Sequence, residues 1–302
     1  MHQIAFPALS GKCYAMGMSK NASSADNPQE TLIEKNYYYA GFFAAEMSCC
    51  VIKAANRNPV GHYYFAIDIT VSNADKLLLE NINQVVMRGN GVITPIKGAF
   101  NLSARGKKRV HAVLNFFNRY PIIVGDLAKN RIMLMEEALA YLEAYRGSSK
   151  HQNKIKVMDQ IRKKLRMIKE NAKVSKLFDQ KHVSRDVVGY FLSGVLDGEG
   201  SFGFKKSKDR LQPFFAIAMK DRKIIQLLRE FIQYGKVRHR NDGVYHYEIN
   251  HSKVLLNVCS LFLTRYPLRH ARQRERMQHL QQRILNDYTR NPAPKWRRND
   301  IV

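Results

Sequence analysis

Nine residues at 192–200, Leu-Ser-Gly-Val-Leu-Asp-Gly-Glu-Gly, have a degenerate copy at 39–47, Tyr-Ala-Gly-Phe-Phe-Ala-Ala-Glu-Met. Each is an apolar, helix-like run with small residues four apart, Gly41 with Ala45 and Gly194 with Gly198. Each ends on one carboxylate, Glu46 or Glu199. Small residues at i and i+4 leave a groove in which two helices touch backbone to backbone, the steric logic of small-xxx-small pairs in membranes. The spacing predicts that the two runs pack on each other and deliver Glu46 and Glu199 side by side. Each glutamate then sits at a helix C-terminus, where the dipole already adds negative charge. Two carboxylates held there repel and have raised pKa values unless a cation lies between them, and oxygen ligands favour a hard divalent ion, Mg²⁺.

A second repeat supports the first. Phe-Phe-Asn-Arg-Tyr-Pro-Ile at 116–122 returns as Phe-Leu-Thr-Arg-Tyr-Pro-Leu at 262–268. Arg119 follows Glu46 by 73 residues and Arg265 follows Glu199 by 66. Between these landmarks Phe65-Ala66-Ile67 echoes Phe215-Ala216-Ile217, each followed by an aspartate, Asp75 or Asp221, and an apolar helix. Each half parses as helix, two strands, helix, two strands, helix. The chain divides into a loose polar arm over 1–30, a first repeat over 31–130, a helical linker over 131–182, and a second repeat with a basic C-terminal helix over 183–302. The arm lacks the basic start and apolar core of a secretory signal. The linker reads as a solvated connector, or as an arm along a nucleic-acid backbone.

Alternation assigns the strand faces. Phe202 and Phe204 oppose Ser201, Gly203 and Lys205; Phe215, Ile217 and Met219 oppose Ala216, Ala218 and Lys220. From Gly235 to Asn241 the cations Lys236, Arg238 and Arg240 fall on one face, and Asn241-Asp242-Gly243 is a hairpin signal. Beyond it Tyr245, Tyr247 and Ile249 oppose His246 and Glu248. In the first half Phe65, Ile67, Ile69 and Val71 oppose Ala66, Asp68 and Thr70. One face is thus apolar, while small residues and cations dominate the other.

The chain carries 50 Lys and Arg against 25 Asp and Glu, a formal net charge of +25. Such a field concentrates phosphates, so a polyanionic partner is expected. Charge alone separates neither DNA from RNA nor specific from non-specific binding. No run approaches the roughly 20 apolar residues of a membrane span. The cysteines at 13, 49, 50 and 259 show no Cys-x-x-Cys spacing, which suggests neither zinc nor a disulfide framework and points to a reducing interior. Cys49 and Cys50 are expected on opposite faces of one strand.

The paired motifs resemble the LAGLIDADG homing endonucleases, in the form where one chain carries both. The second copy, followed by Ser201 and Phe202, matches closely. In the first, Ala44 replaces an acidic residue and Met47 replaces the closing glycine, which is expected to end the helix in a left-handed turn. The resemblance implies two αββαββα units about a pseudo-twofold axis, an α+β fold whose antiparallel sheets form a saddle over DNA. It implies Glu46 and Glu199 as metal ligands, with Gly41, Ala45, Gly194 and Gly198 at the helix interface. Lys205, Lys220, Lys236, Arg238, Arg240 and His246 become the nucleic-acid-binding set. The family also tends to place a basic residue a few positions beyond the Tyr-Pro turn: that position carries Arg272 in the second half, whereas in the first it falls on the acidic Asp126, with Lys129 serving only if the turn carries an insertion.

Three functions follow. The first is an intron-encoded, site-specific double-strand DNA endonuclease, monomeric because one chain holds both halves. Its gene would belong to an organelle (chloroplast or mitochondrion) or to a bacterial genome, the protein acting in that organelle or in the bacterial cytoplasm. The others are a maturase of the same fold that binds host intron RNA, and a catalytically inactive DNA-binding relic. Retention of both glutamates favours the endonuclease; Ala44 and Met47 are the argument for the relic.

Overall fold

A computed structural model describes residues 34–55, 63–144, 151–168, 183–207 and 210–290. The arm over 1–30 and the Gly147-Ser148-Ser149 junction lie outside them. The first half runs α1 (Tyr37–Glu46), β1 (Ser48–Ala55), β2 (Tyr63–Asn73), α2 (Lys76–Met87), β3 (Val92–Ile96), β4 (Ala99–Arg105) and α3 (Lys107–Arg119). Two helices follow, α4 (Asp126–Ala144) and α5 (His151–Met167). The second half repeats the order with α6 (Arg185–Glu199), β5 (Gly200–Ser207), β6 (Arg210–Met219), α7 (Arg222–Ile232), β7 (Lys236–His239), β8 (Tyr245–Ile249) and α8 (Ser252–Ser260), then ends in α9 (Ala271–Arg290). The two sheets are antiparallel, ordered β1-β2-β4-β3 and β5-β6-β8-β7.

Helices α1 and α6 bury the continuous runs Tyr38–Ala44 and Gly189–Asp197 because they pack on each other as well as on the sheets. A Cβ added at Gly41 would lie 1.8 Å from the carbonyl oxygen of Phe191, and one at Gly194 would lie 1.9 Å from that of Tyr38. The helices therefore meet backbone to backbone at both glycines. Gly198 lies against Ala45 and the side chain of Glu46.

The halves correspond in order at the motif glutamates, the capping aspartates and the Arg-Tyr-Pro turns. Asp75 caps α2 by accepting from Leu78 N, and Asp221 caps α7 by accepting from Lys223 N. Cys49 pairs with Ile69 where Phe202 pairs with Phe215, and Val71 pairs with Leu102 where Ile217 pairs with Tyr247. Ile69 thus matches Phe215, and the Phe-Ala-Ile echo read from the sequence is out of register by four residues. Four is an even number, so the slip leaves every strand residue on its expected face. The segment from Gly106 to Arg119 is one residue shorter than that from His251 to Arg265, and the extra residue is absorbed in a π turn at Leu261–Arg265.

Two expectations are corrected. Gly200 is extended, with φ −71° and ψ 140°, and Met47 has nearly the same backbone, φ −65° and ψ 131°. The closing glycine is therefore not needed for a left-handed turn. It is needed for space, since a Cβ there would stand 2.4 Å from Leu196 O. Met47 instead turns its side chain into the first-half core, where it is buried. The linker is also packed rather than solvated: Met135, Ala138, Leu139 and Leu142 of α4 and Met158, Ile161 and Leu165 of α5 are buried. No described helix is long and apolar enough to cross a membrane.

Alanine at Gly41 or Gly194 should lower stability by about 3 kcal/mol or more, outweighing the roughly 0.5–1 kcal/mol that alanine gains inside a helix. The urea midpoint measures this, and variants as stable as the parent would show that the helices do not touch there.

Candidate active site

Glu46 ends α1 and Glu199 ends α6, and the backbone contact beneath them brings both to one point on the seam between the halves. Glu46 is half-buried and Glu199 more open. No hydrogen-bond donor or cation among the described residues meets either. Burial, and then the charge of Glu199, push the Glu46 carboxyl up to about 7. Partial burial also raises Glu199. Among the described residues no cluster of three or more His, Cys, Asp and Glu stands ready to hold a metal. The pair offers carboxylate oxygens to a hard cation, whose other ligands must come from water or from a bound phosphate.

The acidic residue two before Glu199 has a different task. Asp197 is buried; its Oδ2 accepts from Tyr38 Oη at 2.5 Å and from the backbone N–H groups of Arg269 (2.6 Å) and His270 (3.0 Å). Asp197 thus clamps the turn after Arg265-Tyr266-Pro267 and ties it to α1. Despite these bonds, burial pushes its carboxyl up to about 6. Ala44, the first-half counterpart, therefore loses a turn clamp and not a metal ligand.

Each turn is also held by the opposite half. Asp75 Oδ2 accepts from Ala271 N at 2.9 Å, and Asp221 Oδ2 accepts from Leu127 N at 3.1 Å. Lys223 bridges to Asp126 at 2.9 Å in the same contact. Leu127 matches Ala271, so the first-half turn does carry an insertion, of two residues. The insertion does not bring Lys129 to the carboxylates. Its ammonium donates to Ile123 O at 2.9 Å, and its recess is shared with Tyr37, Ser184 and Val187, where the motif helices begin. That is the opposite end from Glu46 and Glu199.

Arg131 takes the place foreseen for Lys129: Nη1 donates to Met47 O at 2.6 Å, one residue past Glu46. In the second half Gln273 Nε2 donates to Gly200 O at 2.8 Å, one residue past Glu199. Sequence reasoning missed both, although each lies on the helix after the Tyr-Pro turn and the first is a cation inside an otherwise apolar stripe. Arg272, in the first turn of α9, is exposed.

On the second sheet one face carries Lys205, Lys236, Arg238 and His246, as expected. Lys236 lies opposite Glu248, Arg238 opposite His246, and Lys205 forms an ion pair with Glu248. Lys220 is exposed in the bend after β6. Arg240 departs from expectation: β7 stops at His239, and Arg240 sits in the hairpin turn, paired to Asp242 at 2.8 Å. The corresponding face of the first sheet is almost uncharged. Its cation Arg105 is bonded at 3.0 Å to Asp68, which is buried and also accepts from Ser103.

A family model described as LAGLIDADG endonuclease matches residues 192–278. That segment is similar to the LAGLIDADG endonucleases. The chain's whole fold is similar to that of the LAGLIDADG homing endonuclease I-GzeII in complex with its DNA target, with a TM-score of 0.70 and 15% identity over 86% of this chain and 93% of that one. I-CpaMI bound to uncleaved DNA gives 0.67 and 16% over 85% and 92%. I-SmaMI bound to uncleaved DNA in the presence of calcium ions gives 0.63 and 18% over 84% and 96%. No curated protein matches the sequence significantly.

The raised Glu46 makes a pH test of the site. An unfolded glutamate titrates near 4.3, so the proton that folding holds on Glu46 contributes stability that is complete below that pH. The contribution is lost as pH rises through about 7. Glu46→Gln needs no proton. Without divalent metal, the variant should gain on the parent between pH 5 and pH 8, by up to about 3 kcal/mol, as read by denaturant titration. An unchanging difference would place Glu46 in water, apart from Glu199.

Proposed function

We propose that this chain is a site-specific DNA double-strand endonuclease, encoded within a mobile intron, that hydrolyses one phosphodiester on each strand with the help of Mg²⁺. The observation that carries the reading is the pair of unpartnered carboxylates, Glu46 and Glu199, one from each half, at the seam between two saddle-like sheets. The similar DNA-bound endonucleases, one of them in the presence of calcium ions, agree with it.

In this reading each glutamate serves its own half as a metal ligand. Glu46 and Glu199 would hold a divalent cation there, and such an ion would supply activation of water and charge stabilisation at the leaving oxygen. The residues around it hold the ligands still. Arg131 and Gln273 fix the backbone just beyond each glutamate, and Asp197 fixes the turn from which α9 departs. Arg272 is assigned to the scissile phosphate of the second half; an arginine keeps its proton, so its contribution is charge stabilisation and not base catalysis. Lys129 is assigned to holding its own turn. Lys205, Lys220, Lys236, Arg238 and His246 meet the duplex in the second half, with Arg240 at the rim. The protein acts as a monomer, since one chain supplies both carboxylates. Ala44 and Met47, the features that favoured an inactive relic, both have structural explanations that leave Glu46 in place.

Glu199→Gln keeps shape and removes charge at the metal. It should abolish Mg²⁺-dependent cleavage while changing DNA affinity by less than about threefold, since only an uncharged amide meets the phosphates there. A variant that cuts as fast as the parent would sink the assignment. Rescue of intron splicing without DNA cutting by the parent would favour the maturase.

A further inference from the structure

The first half lacks a row of cations on its sheet face, although the chain as a whole is strongly basic. Its strand-face residues are mostly small, apolar or neutral: Ala66, Thr70, Ser72 and Asn101 in the middle, with exposed Tyr64, Val92 and Ile96 toward the edges. The cations of this half lie elsewhere. Helix α5, which has no counterpart in the second half, carries Lys154, Lys156, Arg162, Lys163, Lys164 and Arg166 against the single acid Asp159.

The packing of α5 gives those charges a direction. Strand β1 is an edge strand, and α5 lies along it on the core side, where Asp159 bonds Lys53 at 2.7 Å. One turn on, Arg162 bonds Asp159 at 3.1 Å and lines the same groove as Cys50. Cys50 belongs to the saddle face, in the cross-strand row Cys50, Asp68, Arg105. Between β1 and α5 runs a groove of about 680 Å³, lined by Ser48 to Lys53, Arg131, Arg162, Leu165 and Arg166. It starts beside Ser48 and Arg131, next to the residue that follows Glu46, and Arg166 stands exposed along it. Buried Leu165 and Ile161 seat the helix, so the arginines are presented from a fixed support.

We propose that the β1–α5 groove is a phosphate-binding site for the DNA strand leaving the Glu46 side of the active site, with Arg162 and Arg166 as its contacts. The inference rests on the endonuclease reading. It assigns the two jobs of the first half to different surfaces: α5 holds phosphate, and the uncharged sheet face reads base edges, including thymine methyl groups, by apolar and neutral contacts. In the second half both jobs fall on one sheet face. DNA is favoured over RNA because the groove is continuous with the saddle at its active-site end.

The test compares the parent, Arg166→Gln, Arg162→Gln/Arg166→Gln and, as a control, Lys236→Gln. Each binds a 30-base-pair duplex spanning the insertion point of the intron-less host gene, and a random duplex of equal length, over a salt series without Mg²⁺. Arg166 has no side-chain hydrogen bond or ion pair among the described residues, so its single variant decides the matter should the double variant melt early. The slope of log affinity against log salt should fall by about one per arginine, for both duplexes alike. The parent's preference among first-half base substitutions should be unchanged. Unaltered slopes in the α5 variants, with a reduced slope for Lys236→Gln, would overturn the groove assignment alone. Failure of the parent to bind either duplex would overturn the endonuclease reading as well. A slope that falls only for host intron RNA would refute the DNA assignment.

Discussion

Two carbonyl oxygens, those of Phe191 and Tyr38, occupy the space where side chains at Gly41 and Gly194 would stand. That contact sets the architecture. It sinks two apolar helices into each other at the seam, so each half completes its core against the other. It also fixes both helix ends together, and the carboxylates follow. Glu46 and Glu199 belong to separate halves and are brought together by sterics alone, without a bond of their own. The cost appears as a raised carboxyl pKa, which a cation would relieve.

Around this seam the halves hold each other's turns. Asp75 and Asp221 each cap a helix in their own half and take a backbone N–H from the turn of the other. Asp197 adds a second clamp in the second half, where Tyr38 of the first half joins it. The turns carry α4 and α9, from which Arg131 and Gln273 reach the backbone behind the glutamates. The loss of an acid at Ala44 is tolerated because the first-half turn retains Asp221 and its own buried Ile122, Ile123 and Val124.

The motif, the duplication and the strand faces were legible because each rests on a short-range pattern: small residues four apart, a repeated turn, a period of two. The Phe-Ala-Ile echo failed by four residues because apolar strands of the same period resemble one another at any even offset. The role given to Gly200 failed because glycine serves both unusual φ and close approach, and only the packing of Leu196 and Phe202 shows which. Lys129 failed because a two-residue insertion shifts the helix, and Arg131 becomes visible only once Met47 O is located. Arg240 lay one residue beyond its strand. The packing of α5 was hidden by its lysines and arginines, since Met158, Ile161 and Leu165 form a narrow stripe within a mostly charged helix.

On the proposed reading one seam holds two active carboxylates, each serving one strand. Mapping the ends left when purified protein meets the intron-less host-gene duplex, with and without Mg²⁺, tests it most directly. Adjacent carboxylates reach scissile phosphates about a minor-groove width apart, roughly 6 Å. Two metal-dependent nicks are expected on opposite strands, within a few base pairs of each other at the insertion point. A lone nick, widely separated nicks or no cutting at all would contradict it.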